Sequence, residues 1–189
     1  MARIMGLNQM DWKRWAVISA LIVPSAASGE APGQWQPASR ASQLEALRYI
    51  EQLEVARSAG RLAAADALGV KDGRDLQGPL RGEVRRFGAI ELAAELEAGA
   101  NEPVIVVKVS GGCIDRDVAK ASLMLGKVVW APLADAPAPV IGYAHFQGGS
   151  ASTVFFDATG SRCLTGVRIE DPARLNGIIK AASAEASLP

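Results

Sequence analysis

Two cysteines, one histidine and scattered acids are the groups in this 189-residue chain that could do covalent or acid–base chemistry. Cys113 is the best placed. It lies in VIVVKVSGGCIDRDVAKASLML, residues 104–125, where a β-branched run ends in Ser110-Gly111-Gly112 and a helical pattern begins. A thiol reacts as its thiolate. The free N–H groups and dipole of a helix N-terminus favour that anion. Arg116 adds positive charge, whereas Asp115 and Asp117 oppose the thiolate by repulsion. Gly111 and Gly112 permit a tight turn and close approach of a substrate. Three states of Cys113 are open on these grounds: a reactive thiol, a disulfide with Cys163, or an inert buried thiol.

His145 offers a second chemistry. A Cys–His hydrolase would pair it with Cys113 and orient it through Asp135 or Asp157, given hydrogen-bond reach in space. One histidine and two distant cysteines do not make a zinc spacing. SGGC lacks the lysine and spacing of a phosphate loop, and DATG and VKDG read as turns rather than calcium loops. No metal and no cofactor is therefore expected.

The bulk composition sets the frame for these groups. Apolar residues make up 49 % of the chain, enough for a sizeable core. The formal net charge is zero and the basic residues are dispersed, which gives no electrostatic reason for a nucleic-acid partner. The N-terminus has the order of a signal peptide: Lys13 and Arg14, the apolar run from Trp15 to Val23, then small residues. Ser25 and Ala27 suit the −3 and −1 positions of a cleavage site, so residues 1–27 are expected to be removed on export to the periplasm. The apolar run falls well short of the roughly 20 residues of a spanning helix, so no stable membrane span is expected after cleavage. Export places the cysteines in an oxidising compartment, where pairing is common.

Residues 28–41, rich in Pro, Gly and Ser, read as a flexible linker. The stretch 42–100 reads as helical. Ser42 and Glu45 form a capping box, and Leu44, Leu47, Ile50 and Leu53 recur at near-helical spacing. Gly60 can split this helix, and Gly69 can stop it. A second helix is predicted over 81–98, carrying Val84, Phe87, Ile90 and Leu92. The remainder alternates. Strands are predicted at 104–109 and 127–135, with a helix from Asp115 or Asp117 to Leu125 between them. A loop containing a short ordered piece follows, then a hairpin around Ala158-Thr159-Gly160. The last helix is capped by Asp171 with Pro172 at its first position. The order β-α-β-(loop)-β-β-α is an α/β pattern.

PVIVVKVSGGCIDRDVAKA resembles the first core strand and active-site helix of the thioredoxin-like superfamily, with Cys113 at the nucleophile's place. GYAHFQGGSASTVFFDATGSRCLTGVRIEDPARLNGIIKAA is similar to its C-terminal ββα unit. The resemblance spans about residues 102–184 and implies an atypical member of the fold. Arg116 stands where the resolving cysteine would be, and Ser152 where the cis-proline would be. A non-proline cis bond costs about 2.5–4 kcal/mol, so Ser152 is expected to be trans. The resemblance thus implies thiol redox or thiol-dependent assembly work on protein clients, with Cys113, Arg116 and Ser152 at the site. The alternative is a non-enzymatic binding or assembly module on the same fold. In a thioredoxin-like alignment the turn near Gly160 lies at the far pole from Cys113. The expectation from the resemblance is therefore that Cys113 and Cys163 do not pair.

Overall fold

The computed structural model describes residues 37–70, 78–97, 102–131 and 139–185. The expected signal peptide and cleavage site, the expected linker residues 28–36 and Asp135 fall outside that set. The chain is a mixed α/β structure of four described helices and one eight-stranded sheet. No described helix is long and apolar enough to cross a membrane.

Helix α1 spans Arg40–Ser58. Its cap is Ser39 rather than Ser42: the Ser39 hydroxyl accepts the Ser42 amide at 3.1 Å. Leu47, Ile50 and Leu53 lie on one face and are fully buried. Burying such side chains stabilises a fold by about 1.5–3 kcal/mol each. Gly60, at φ +104°, breaks the helix as expected, and α2 follows at Arg61–Ala67. Gly69, at φ +77°, lies just past the end of α2. Residues 37–39, expected to be linker, are held: Pro37 bridges to Cys113, and Gln43 Nε2 donates to the Ala38 carbonyl at 2.8 Å.

Over the described residues 81–97 the predicted helix does not form. In its place are β1 (Leu80–Arg81), β2 (Arg85–Phe87) and β3 (Ile90–Leu96). Ile90, Leu92, Ala94 and Leu96 are buried at every second position, the period of a strand with one face on a core. The Ala, Leu and Glu of this segment favour helix, but pairing with β4 overrides them. Strand β4 (Ile105–Gly111) runs antiparallel to β3 from Ile90↔Gly111 to Leu96↔Ile105.

Helix α3 (Arg116–Leu123) starts where expected, with the Asp115 side chain accepting the Asp117 amide at 2.7 Å. It ends before Leu125, at Met124 with φ +47°, and the Met124 side chain is exposed. Strand β5 is Val128–Trp130. The segment expected to be mostly loop is instead a full strand, β6 (Val140–Gln147), paired along its length with β7 (Ser150–Asp157). Strand β8 (Leu164–Glu170) completes the predicted hairpin with β7. Helix α4 (Pro172–Glu185) begins on Asp171, whose carboxylate accepts the Ala173 amide at 2.7 Å.

The strand order is β1-β3-β4-β8-β7-β6-β5, with β2 also on β3, and every described pairing is antiparallel. Strands β4 and β5 flank α3 in sequence yet are separated in the sheet by β8, β7 and β6. They do not form a parallel β-α-β unit. Side chains alternate between the faces of the sheet. Val154 and Phe156 of β7 join α1 and α2 in the main core, whereas Ala151 faces the other way and meets Leu175 of α4.

Gly111 shows how tightly β3 and β4 close. It sits at φ +75°, and a Cβ there would lie 2.2 Å from the Ala89 carbonyl oxygen. That carbonyl accepts the Gly112 amide at 2.7 Å. Gly111→Ala is therefore expected to lower unfolding free energy by about 1–3 kcal/mol, as forced left-handed backbone does. Urea titration checks this; a variant as stable as the parent would contradict the close approach.

Candidate functional site

Cys113 is not a free thiol. It is bonded to Cys163, with Cα atoms 5.2 Å apart, and no free cysteine remains. This overturns the expectation that the two do not pair. The reason is strand direction. Strand β8 runs antiparallel to β4, from Ile105↔Ile169 to Lys108↔Gly166, so the start of β8 lies beside the end of β4. The Leu164 amide donates to the Ile114 carbonyl at 2.9 Å, and the Arg116 amide donates to the Arg162 carbonyl at 3.1 Å. Gln43 Oε1 accepts the Asp115 amide at 3.0 Å, which ties α1 to the same corner. Cys113 is 9 % exposed and Cys163 1 %.

The other two predicted site residues do not assemble around a thiol. Arg116 is the first residue of α3 and has no thiolate to stabilise. Ser152 lies within β7, opposite Ile169 of β8. Ile169 is six residues beyond Cys163, roughly 20 Å along a strand, so Ser152 and the disulfide occupy opposite ends of the sheet. The described chain has no cis peptide bond, so Ser152 is trans as expected.

Ser152 belongs to a different cluster, built between α1 and the β6–β7 hairpin. Its hydroxyl donates to Glu54 Oε1. His145 Nε2 lies 3.4 Å from Glu54 Oε2 and 3.3 Å from Gln147 Oε1. The Ser150 hydroxyl donates to the Glu54 carbonyl at 2.6 Å. Glu54 is 1 % exposed, Ser152 0 % and His145 5 %. Burial by itself would push the His145 imidazole down. The hydrogen bond and charge of Glu54, assisted by Gln147 and by the charge of Glu51, outweigh it and hold the imidazole above its ordinary range.

This cluster contains serine, histidine and a carboxyl group, but it is not a hydrolytic triad. Both the hydroxyl and the imidazole meet the carboxyl, so the histidine is not shown acting as base to the hydroxyl. The burial of all three leaves no room for a substrate. A Cys–His pair does not form either. The cysteine is bonded, and the carboxyl beside His145 is that of Glu54 on α1. Asp157 is committed to its own turn, accepting the amides of Thr159 and Ser161 at 2.9 and 3.1 Å. The Glu54 partnership left no trace in sequence spacing, because 91 residues separate it from His145.

Arg57, one turn beyond Glu54, fastens the same junction. Its Nε donates to the Pro103 carbonyl at 3.0 Å and its Nη1 to the Gly149 carbonyl at 2.9 Å. Nη2 reaches Glu102 at 3.3 Å and Asp171 at 3.6 Å. Arg57→Met would leave those carbonyls without their donor, at about 1–3 kcal/mol for each that water does not reach. Chemical denaturation is expected to show a loss on the order of 3 kcal/mol. A near-neutral result would mean water replaces the guanidinium.

Among the described residues no group of three or more His, Cys, Asp or Glu side chains could hold a metal ion. Compared with known proteins, the chain matches no family model, no curated protein and no solved structure.

Proposed function

We infer that this chain is an exported, non-enzymatic binding or assembly module whose fold is stapled by the Cys113–Cys163 disulfide. The observation that carries this is that both cysteines of the chain are consumed in one buried bond. Such a bond is at home in an oxidising compartment, which fits the signal-peptide order of residues 1–27 and a periplasmic location. The partners are protein clients. The other polar centre, around Glu54, is closed to substrate and serves to seat α1.

The thioredoxin-like resemblance would instead give Cys113 thiol redox work. The helix after β4 and the terminal β7-β8-α4 unit are compatible with that origin, and the antiparallel sheet is at odds with it. On this geometry the work would also require the buried disulfide to open first, since the attacking group must be a thiolate.

Thiol labelling separates the two readings. The native protein is expected to take up no label, the unfolded protein none without reductant, and the reduced unfolded protein two. One fast-reacting thiol in the native protein would favour the redox reading. A Cys113→Ser, Cys163→Ser double variant that folds and retains biological function would remove thiol chemistry from consideration.

A further inference from the structure

The four described helices are not held alike. Buried side chains of α1, α2 and α3 enter the main core with those of β3, β4, β6, β7 and β8, and α4 contributes none to it. Helix α4 lies on the other face of the sheet, over a much smaller core of Leu175, Ala144 and Ala151, flanked by Val129, Ile178 and Ile179. Leu175 is fully buried. Ile178 and Ile179 are half-buried, and Asn176, Gly177 and Lys180 are exposed. Residues 181–185 read Ala-Ala-Ser-Ala-Glu, so the rest of the helix brings no large apolar side chain. A helix in a protein is held mostly by its buried apolar face. Here that face rests on one leucine and two partly covered isoleucines.

The start of α4 is fastened more firmly. The Asp171 carboxylate accepts the Ala173 amide at 2.7 Å and lies 3.6 Å from the Arg57 guanidinium. Arg174 Nε reaches the Glu170 carboxylate at 3.2 Å. Beyond that turn comes Gly177, and glycine is the poorest helix former after proline. A Cβ at Gly177 would meet no atom within 4 Å, so packing does not require the glycine. The helix also follows Cys163, outside the loop that the disulfide closes. Segments with few buried apolar contacts open ahead of the rest of a fold. A 14-residue helix that leaves its seat is marginal in water, so its amides would then exchange.

We propose that α4 is a strap, hinged at Asp171, that opens while the sheet, the other three helices and the disulfide stay intact. Opening uncovers Val129, Ala144 and Ala151, an apolar strip across β5, β6 and β7, and closing hides it. The inference goes beyond the binding-module reading and does not rest on it.

Native-state hydrogen exchange on the full-length, oxidised protein tests the strap. Amides of residues 177–180 are expected to exchange at least a hundredfold faster than the paired amides of β4 and β8. Urea below the unfolding transition should change the α4 rates little, because opening exposes little surface. Leu175→Ala is expected to speed α4 exchange at least tenfold, and Gly177→Ala to slow it about fivefold. Ile50→Val loosens the main core alone. It is expected to speed exchange in β4 and β8 about fivefold and to leave α4 unchanged. Equal acceleration of α4 by Ile50→Val would mean that α4 opens only with the whole fold, and would overturn the proposal. Exchange graded from the C-terminus and insensitive to Leu175→Ala would be end fraying, and would overturn it too. The thiol-labelling result bears on neither outcome.

Discussion

Loss of the Cys113–Cys163 bond is expected to lower the unfolding free energy by about 3–4 kcal/mol. The bond closes a segment of 50 residues, and the chain-entropy account for a loop of that size gives about 4 kcal/mol. Domains are commonly stable by only about 5–15 kcal/mol, so this is a large fraction of the whole. It also pins three pieces at once: the Pro37 bridge, the start of α3 and the entry to β8. Urea unfolding of the oxidised protein, with the reduced protein and a Cys113→Ala, Cys163→Ala variant beside it, gives the number. The two perturbed forms should agree. A loss below about 1 kcal/mol would show that the bond does not hold the fold, because a loop of this length should release more.

Removing the Glu54 carboxyl charge is expected to have an effect of similar size, and with a pH signature. Breaking one side of a buried charged pair costs about 3–5 kcal/mol, because the remaining group stays buried without its partner. Glu54→Gln keeps the shape and a contact for Ser152 but takes the counter-charge from His145. The sign of the pH dependence follows from the imidazole. Its proton is held more tightly in the folded chain than in the unfolded one. The stabilisation is therefore complete below the unfolded value near 6.5 and fades as pH rises through the folded value. The oxidised protein should lose stability from about pH 6 upward through the neutral range. His145→Gln should flatten that slope, and Glu54→Gln should flatten it at a lower overall stability. The groups acting on the ring are Glu51 and Glu54 of α1, with Gln147 of β6, so no other element needs to titrate to produce it. An unchanged slope in His145→Gln would assign the effect elsewhere.

The sequence announced its local signals more clearly than its long-range ones. Asp115, Asp171 and Pro172 mark helix starts through side-chain chemistry a few residues long, and they begin helices in the structure. Gly60 separates two helices for the same local reason. Residues 81–98 misled because Ala, Leu and Glu favour helix, while the alternation of Ile90, Leu92, Ala94 and Leu96 carried the correct period. Strand β6 was hidden by Gly142 and by its polar end, and only its pairing with β7 makes it regular. The candidate site was legible as residue types, but its partners were not. Cys113 meets Cys163 because β8 returns beside β4, and His145 meets Glu54 because α1 crosses the hairpin. Neither follows from spacing along the chain.

The position of β8 bears on how such a chain becomes native. It is the last strand in sequence, yet it lies between β4 and β7 and joins the two parts of the sheet. Without residues 164–170 the described sheet would divide into β1 to β4 on one side and β5 to β7 on the other, with no strand pairing between them. Sheets assembled from such distant pairings form slowly. A chain delivered N-terminus first across a membrane would thus be held short of its native state until nearly all of it had emerged. The cysteine that locks the structure stands at the threshold of that final strand, so oxidation would seal a sheet just completed.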